Sequence, residues 1–382
     1  MRNQTCQPIV RTLLDHLEKR TSWRVDSTTH VSAGDYADPG HLALEKDRLF
    51  RRLPQVVALS SELGEPGSYL TRDSLGLAVV VTRTREGSVA ALVNACRHRG
   101  AQVAAGSGCS RRLTCPYHSW SYEHDGTLAG VPDSGSFPEV VIPSPGLVQL
   151  PVAEVAGLVW MIPNPSAVAH EPDLGVAAGL GPIAEDLDDF GLERMRHWRS
   201  HRFELELNWK LVIDTFLEPY HFSSLHATTV GPYFIPNLCV AERFGSHVRE
   251  ILPRRSLVEL ADVPPDEWDV VPHSAMVYVL FPNTVFVMQL DHVETWRVYP
   301  DGDDPGRCVC DLDFYVPDGS EAPERHWERN WKLTIDTVID EDFAAMASAQ
   351  RGLSTGVLEH IVAGTNEPAL GMFHRSLGDA LA

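Results

Sequence analysis

The chain has no long apolar run and no excess of basic residues, and these two absences exclude several classes of protein. None of its 382 residues lies in a stretch that approaches the ~18 apolar residues of a membrane span, and residues 1–20 contain no apolar run like that of a signal peptide. The formal net charge of −20 argues against nucleic acid or an anionic membrane surface as a partner, because both bind basic surfaces. The sequence therefore predicts a cytoplasmic protein without a nucleic-acid or membrane partner.

The sequence also lacks a disulfide framework and a nucleotide-binding fingerprint. Its 7 cysteines are odd in number and scattered, unlike those of a small secreted protein. We expect buried free thiols at the five positions outside the motif described next, which are Cys6, Cys109, Cys239, Cys308 and Cys310. No flavin or nicotinamide motif is present, so any electrons from NAD(P)H must arrive through another protein.

Two short half-sites each pair one cysteine with one histidine. Cys96 and His98 form the first, and Cys115 and His118 the second, with sixteen residues between His98 and Cys115. Two thiolates and two imidazoles suit a [2Fe–2S] cluster with both cysteines on one iron and both histidines on the other. The same residue types also hold structural zinc, but zinc fingers usually group the two cysteines in one half-site and the two histidines in the other. The mixed order favours the cluster, and zinc remains the alternative.

A second set of ligand-type residues lies in the segment 208–226. On one helix, Asp214, Glu218 and His221 would stand at i, i+4 and i+7 on a single stripe, and buried carboxylates of this kind are costly unless a cation is near. His221 and His226 are five residues apart, about 140° on an ideal helix, so they can share one metal only if the helix breaks. Pro219 makes such a break plausible.

Two histidines need a carboxylate to complete the facial triad that leaves open positions on Fe(II). If residues 330–351 form one helix, Asp342 lies on its inward apolar stripe, whereas Asp340 and Glu341 point elsewhere. We therefore predict Asp342 as the third ligand and a solvated acidic run for its neighbours.

The apolar pattern predicts an α+β protein of two domains after a helical segment. Residues 1–54 are expected to pack as helices on the catalytic domain, residues 55–163 to form an all-β domain, and residues 164–382 to form the catalytic domain with an antiparallel sheet flanked by helices. Strands of the sheet are predicted at 196–207, 247–252, 275–281, 284–289, 293–299 and 307–316, and helices at 183–190, 208–221 and from about 322.

Together the motifs resemble the α subunit of the Rieske non-haem iron oxygenases, the terminal component of ring-hydroxylating and demethylating systems. The resemblance rests on Cys-x-His-x16-Cys-x-x-His, on Asn-Trp-Lys at 208–210, on Asp-x3-Glu-x-x-His-x4-His from Asp214, and on Glu-Asp-Phe at 341–343. It runs from Ala37 to the tail at 366–375 and implies a helix-grip, START-like catalytic domain.

The resemblance also implies the cofactors, partners and site residues. It implies a [2Fe–2S] Rieske cluster, a mononuclear Fe(II) held by His221, His226 and Asp342, O2 as co-substrate, and NAD(P)H used only through a separate reductase, with or without a ferredoxin. It implies a homotrimer in which Glu218 bridges the Rieske His118 of one subunit to His221 of its neighbour. Asp214, on the same predicted helix stripe, is expected to have a catalytic role beside Glu218.

Two departures from the common family pattern guide the prediction of function. Glu218 stands where Asp is commoner, as in the branch that acts on quaternary amines such as carnitine or glycine betaine, and Thr215 stands where many arene dioxygenases have Asn. We therefore predict an oxidoreductase that hydroxylates or oxidatively demethylates a small organic substrate. The alternatives are an aromatic-ring cis-dihydroxylating dioxygenase and, from another class, a redox-sensing or electron-transfer iron–sulfur protein.

The substrate pocket is predicted to be apolar and aromatic with few fixed charges. Such a pocket could hold an aromatic ring, or a quaternary ammonium group through cation–π contact. The predicted lining is Thr215, Phe222, Leu225, Tyr233, Phe234, Phe281, Phe286, Met288 and Trp296.

Overall fold

The computed structural model describes residues 3–144, 146–167 and 173–382 and divides into two compact units. One unit is Phe50–Ala178, and the other combines Met1–Leu49 with Gly179–Ala382. Residues 168–172, near the start of the predicted catalytic domain, lie outside the described residues. The α+β class is confirmed, with short strands in the first unit and a large antiparallel sheet with helices in the second.

The Phe50–Ala178 unit consists of three antiparallel sheets. The largest has five strands in the spatial order Gln149–Leu150, Val89–Val93, Leu77–Arg83, Ser68–Ser74 and Ser107–Cys109. The other two have three strands each: Val152–Val155, Leu158–Met161 and Gln55–Leu59 in one, and Leu113–Thr114, Ser121–Tyr122 and Leu128–Gly130 in the other. The strands Val152–Val155 and Leu158–Met161 form a hairpin, because Ala156 and Gly157 turn the chain with φ of 53° and 74°.

A seven-stranded antiparallel sheet forms the centre of the other unit. Its spatial order is Met195–Leu205, Cys308–Pro317, Val293–Pro300, Thr284–Met288, Ser274–Leu280, His247–Pro253 and Val240–Phe244. Six of these strands match the predicted ones to within two residues at each end, and the edge strand Val240–Phe244 was not predicted. The four strands from Val293–Pro300 to His247–Pro253 are buried along their whole length, so both faces of the sheet are covered.

The helices come before, between and after the strands of the seven-stranded sheet in the sequence. The α-helices are Asn3–Lys19, Pro39–Glu45, Val176–Leu180, Pro182–Asp189, Trp209–Asp214, Glu324–Thr334, Ala344–Leu353 and Pro368–Leu381. Two π-helical segments, Lys46–Phe50 and Ile335–Phe343, interrupt or extend them, and Thr29–Ser32 pairs with His360–Ala363 as a small separate sheet. In the part of the chain that the structure describes, no helix is both long and apolar enough to cross a membrane.

The Asn-Trp-Lys motif fixes the start of the short helix Trp209–Asp214. Asn208 caps it by accepting a hydrogen bond from the Lys210 amide at 3.0 Å. The Lys210 ammonium and the Trp209 indole both donate to the buried carboxylate of Glu45, at 2.5 and 2.8 Å. A buried charge requires such a partner. The motif therefore ties this helix to Pro39–Glu45, and it ends at Asp214 rather than at 221, so the prediction of one helix through His221 was wrong.

The free cysteines match the prediction except at one position. Cys6, Cys239, Cys308 and Cys310 are buried thiols, but Cys109 is exposed. Cys109 ends an edge strand of the five-stranded sheet, where one side of the strand faces solvent.

Candidate metal centres

The two Cys-x-His half-sites lie in neighbouring loops of the β-rich unit. Cys96 and His98 follow the strand Val89–Val93, and Cys115 and His118 lie in the tight connection between Leu113–Thr114 and Ser121–Tyr122. The first loop closes through a hydrogen bond from the Gly100 amide to the Cys96 carbonyl at 2.8 Å. Gly100 has a φ of +77°, which favours glycine.

The cysteines lie inside and the histidines towards the surface. Cys96 and Cys115 are 4% and 2% exposed in one apolar cluster that also contains Trp120 and Tyr122. The Tyr122 hydroxyl lies 3.1 Å from the Cys96 sulfur and accepts a hydrogen bond from the Arg97 amide at 3.0 Å. Burial and the neighbouring Cys96 raise the pKa of Tyr122. The hydroxyl therefore remains a neutral donor for a thiolate.

Aromatic stacking holds the two histidine rings. His98 lies parallel to Trp120, with ring centroids 5.1 Å apart, and edge-on to His118 at 4.6 Å. Burial, and then the neighbouring His118, lower the pKa of His98, which favours the neutral, metal-binding form. Its Nδ1 atom is buried and has no hydrogen-bond partner among the described residues. An unpartnered buried nitrogen beside two buried cysteines fits a cluster ligand.

The second centre forms where the chain leaves the helix Trp209–Asp214. A short 3₁₀ turn, Tyr220–Ser223, carries His221, and the chain then folds back to place His226 opposite it. The predicted break therefore exists, and the Nε2 atoms of the two histidines are 3.0 Å apart.

Asp342 completes this group from a distant part of the chain. One carboxylate oxygen, Oδ1, lies 3.4 Å from His221 Nε2 and 3.1 Å from His226 Nε2. Ligand atoms about 2.1 Å from one metal and at right angles to each other are about 3.0 Å apart. The three separations therefore fit three adjacent positions of one metal ion. The ligand atoms of His221, His226 and Asp342 all lie within 4.8 Å of one another, close enough to hold one metal ion.

The outer nitrogen of each histidine meets a glutamate. His221 Nδ1 forms a short hydrogen bond with Glu218, whose other oxygen accepts from the His221 amide at 3.1 Å. His226 Nδ1 lies 2.6 Å from Glu341, which also accepts from the Thr229 hydroxyl at 2.6 Å. Such carboxylates fix the tautomer that presents Nε2 to a metal. Glu341 was predicted to lie in a solvated run, and this was wrong.

Charge compensation in this group opposes the cost of burial. Burial lowers the pKa of His221, but Asp342 and Glu218 outweigh it and raise the pKa to about 10. Burial raises the pKa of Asp342, and the two histidines beside it hold that pKa below its usual range. The centre therefore keeps an ionised carboxylate although Asp342 is only 5% exposed.

Asp214 does not join the triad. Its carboxylate accepts hydrogen bonds from the Tyr36 hydroxyl at 2.7 Å and from His374 Nε2 at 2.9 Å. Both partners come from outside the helix that carries it, one near the N-terminus and one in the last helix. The structure thus places Asp214 in a buried network that ties three segments together, apart from the other predicted ligands.

A cavity of about 330 Å³ opens onto the triad. This volume lies in the range of small-molecule sites. Of the predicted lining residues, Thr215, Phe222, Tyr233 and Phe234 border it. Leu225, Phe281, Phe286, Met288 and Trp296 do not; Trp296, for example, packs between Phe216 and Phe343 in the core.

The lining contains more charge than predicted. Arg254, Asp291 and Glu294 border the cavity, together with His292 and His326. These residues lie at strand ends and on the helix Glu324–Thr334, where the alternation of apolar residues carries no signal for a pocket. The expectation of few fixed charges was therefore wrong.

A β-rich domain with a surface Cys2His2 site, joined to an antiparallel-sheet domain with a buried His2Asp triad, defines the class of Rieske non-haem iron oxygenases. Comparison with known families agrees. The Rieske [2Fe-2S] domain matches residues 54–148, and the ring hydroxylating alpha subunit (catalytic domain) matches residues 192–382. The chain belongs to this family and is an oxidoreductase that uses O2.

Several relatives are named for choline or carnitine. Choline monooxygenase, chloroplastic, from Spinacia oleracea is 29% identical over 327 residues, which cover 84% of this chain and 71% of that protein. The carnitine monooxygenase oxygenase subunit of Escherichia coli (strain K12) is 31% identical over 198 residues, 51% of this chain and 52% of that one. A crystal structure of the quaternary ammonium Rieske monooxygenase CntA matches with a TM-score of 0.79 at 22% identity, covering 93% and 96% of the two chains, and shows the shared fold.

Proposed function

We propose that this chain is a terminal oxygenase that hydroxylates or oxidatively demethylates a small quaternary ammonium compound. The observation that carries the proposal is the cavity that joins the triad to aromatic side chains. Phe222 lies edge-on to His226, with ring centroids 5.5 Å apart, and Tyr233 is 55% exposed at the rim. Aromatic faces attract quaternary ammonium groups. Relatives named for choline and carnitine support this substrate class.

The two groups of metal-binding residues would have different roles in such a reaction. His221, His226 and Asp342 would hold Fe(II), which activates O2 at its open positions, and Cys96, Cys115, His98 and His118 would hold the cluster, which supplies electrons one at a time. The overall reaction consumes the substrate, O2, two electrons and two protons, and yields a hydroxylated product and water. The buried ring of Phe234 and the half-buried ring of Phe222 would limit the access of bulk water to the reacting carbon.

Glu218 is proposed to link subunits. It binds the outer nitrogen of His221, on the side away from the triad, which is where a link to another electron carrier must attach. In a homotrimer, a neighbour's His118 would contact the other side of this carboxylate. A heterologous contact of this kind closes into a ring. We further propose a separate reductase as the electron donor, because the chain has no flavin or nicotinamide motif.

Metal analysis followed by isotope labelling tests the proposal. Anaerobically purified protein should contain about three irons and two sulfides per chain, with the low average g value of a histidine-ligated cluster after reduction. With a reductase, choline or carnitine should give a product with one oxygen atom from ¹⁸O2. Two such atoms in a product from an arene would favour the dihydroxylating alternative, and protein that binds only the cluster irons would favour the sensing or electron-transfer alternative.

A further inference from the structure

Arg254 is half-buried and differs from the buried Arg249 and Arg297 in what it contacts. Arg249 pairs with Asp186 at 2.6 Å and Arg297 with Asp313 at 2.7 Å. Arg254 has no ion pair with any described residue. The contrast matters because a guanidinium that is partly removed from water is stabilised by a carboxylate partner, and Arg254 has none among the described residues.

The contacts of Arg254 leave most of its donors available. Nη2 donates to the Gln289 side-chain oxygen at 2.6 Å, and Nε points to the Ser274 carbonyl at 3.4 Å. The guanidinium lies over the ring of Phe234, 4.7 Å from its centroid. A guanidinium has five N–H donors in a planar fork, so both N–H groups of Nη1 and one of Nη2 remain. The side chain is thus held in place by neutral groups while its outer edge stays unpaired.

The acidic residues of the cavity are already compensated by other groups. Asp291 contacts His292 at 3.0 Å and His326 at 2.7 Å. Glu294 accepts from the Thr334 hydroxyl at 2.7 Å and from the Trp296 indole at 3.1 Å. Asp291 is near enough to act on Arg254 through space, yet its hydrogen bonds go to the two histidines. Burial lowers the pKa of Arg254, and neither Asp291 nor Tyr233 reverses this shift.

We propose that Arg254 binds a carboxylate of the substrate, so that the substrate is a quaternary ammonium carboxylate, a betaine, and not a quaternary ammonium alcohol. Arg254 and the triad border the same cavity, so one small molecule can present its carboxylate to the arginine and a methyl or methylene carbon to the triad. Bidentate pairing of a planar carboxylate with the guanidinium fork gives both energy and orientation. This inference rests on the proposed function for the ammonium end of the substrate alone.

Binding measurements distinguish the contribution of the substrate's carboxylate from that of its ammonium group. Iron-loaded protein is titrated calorimetrically without O2 or reductant, so that no turnover is involved. The ligands are carnitine, its primary amide, which keeps the shape but loses the negative charge, and choline. A charge-assisted hydrogen-bond pair contributes about 1.5–3 kcal/mol, so we expect carnitine to bind about 10–100-fold more tightly than its amide.

Variants at position 254 identify the responsible group. Arg254→Gln should weaken carnitine binding about 10–100-fold and leave the affinity for the amide unchanged, whereas Arg254→Lys should recover part of the loss. Arg255→Gln is the matched control, because Arg255 is exposed, donates to the Pro232 carbonyl and lies outside the cavity lining. The comparison of carnitine with its amide on the unaltered protein holds even if a variant does not fold.

The outcomes distinguish this inference from the proposed function. Equal affinity of the unaltered protein for carnitine and its amide, with tight choline binding, would overturn the carboxylate site and leave the ammonium substrate class standing. If no ammonium compound binds but benzoate does so in an Arg254-dependent way, the proposed function fails and the carboxylate site stands. If no carboxylate of either kind binds, the site is refuted.

Discussion

The histidines of the Cys2His2 motif and those of the triad differ in what surrounds their rings. His98 and His118 contact aromatic rings, with Trp120 parallel to His98, and neither contacts a carboxylate among the described residues. His221 and His226 each meet a glutamate at the outer nitrogen. No described carboxylate therefore fixes the histidine rings of the first site, whereas in the second site each outer nitrogen is fixed by a glutamate. The first arrangement suits exchange of electrons, and the second suits a metal held in one geometry.

Removing one ligand from the triad should have the largest effect and should affect only that centre. Asp342→Ala should lower the iron content from about three to about two per chain and reduce turnover below the limit of detection, while the reduced-cluster EPR signal persists. Asp340→Ala is the matched control, because Asp340 is exposed two residues away. Loss of the EPR signal in the Asp342 variant would mean that the two centres do not form independently.

Removing a ligand from the Cys2His2 site should affect only the cluster. His98→Ala should abolish the histidine-ligated cluster signal and leave Fe(II) binding by the triad intact, since the contacts of the two sites lie in separate compact units. Iron and sulfide analysis with Fe(II) titration measures both. An unchanged cluster spectrum would show that His98 is not a ligand and would revive zinc as an occupant of the motif.

The two glutamates beside the triad histidines, Glu218 and Glu341, should differ in their effects when they are replaced. Glu218→Gln keeps an oxygen that accepts from His221, so both metals should remain bound, but loss of the charge should slow turnover about 10–100-fold. Turnover is measured with a chemical or protein reductant in excess, and metal content on the same sample. Turnover equal to that of the unaltered protein would contradict the proposed link between subunits.

Replacing Glu341, in contrast to replacing Glu218, should weaken metal binding. Glu341→Ala removes the acceptor for both His226 and Thr229, so Fe(II) should bind about 10–100-fold more weakly, and saturating iron should restore much of the turnover. Glu341→Gln retains an acceptor and should lose less affinity. If Fe(II) affinity is unchanged in the alanine variant, packing alone orients His226.

The residues of the two centres were identified from the sequence in different ways, for a physical reason. The four residues of the first motif lie within two loops of one small unit, so spacing alone identified them. The triad joins residues 116 positions apart, His226 and Asp342, and its third member was found because an apolar stripe marks the buried face of a helix.

Where the backbone departs from an ideal helix, the sequence prediction failed. Glu341 lies in the π-helical segment Ile335–Phe343, in which wider turns change the face that each residue presents, so ideal 100° steps placed it wrongly. The helix ending at Asp214 likewise separated Asp214 from Glu218. Arg254 follows a buried strand, and nothing in a strand pattern reveals that its partner is missing.

A buried histidine in the large sheet extends the comparison and gives the smallest expected effect. His247 is 8% exposed, and its Nδ1 accepts a hydrogen bond from the Phe281 amide at 3.0 Å, which requires the neutral ring. Burial lowers the pKa of His247 to about 4. Its pKa in the unfolded chain is about 6.5, so the unfolded state binds more protons between these values and stability falls as the pH is lowered through this window.

Replacing His247 should remove that pH dependence. His247→Asn keeps an acceptor for the Phe281 amide but does not titrate, so the variant should gain about 2 kcal/mol relative to the unaltered protein between pH 7 and pH 5. Urea unfolding of both proteins across this range measures the difference, and the exposed His201→Asn serves as control. A difference that does not change with pH would mean that burial does not keep His247 neutral in this fold.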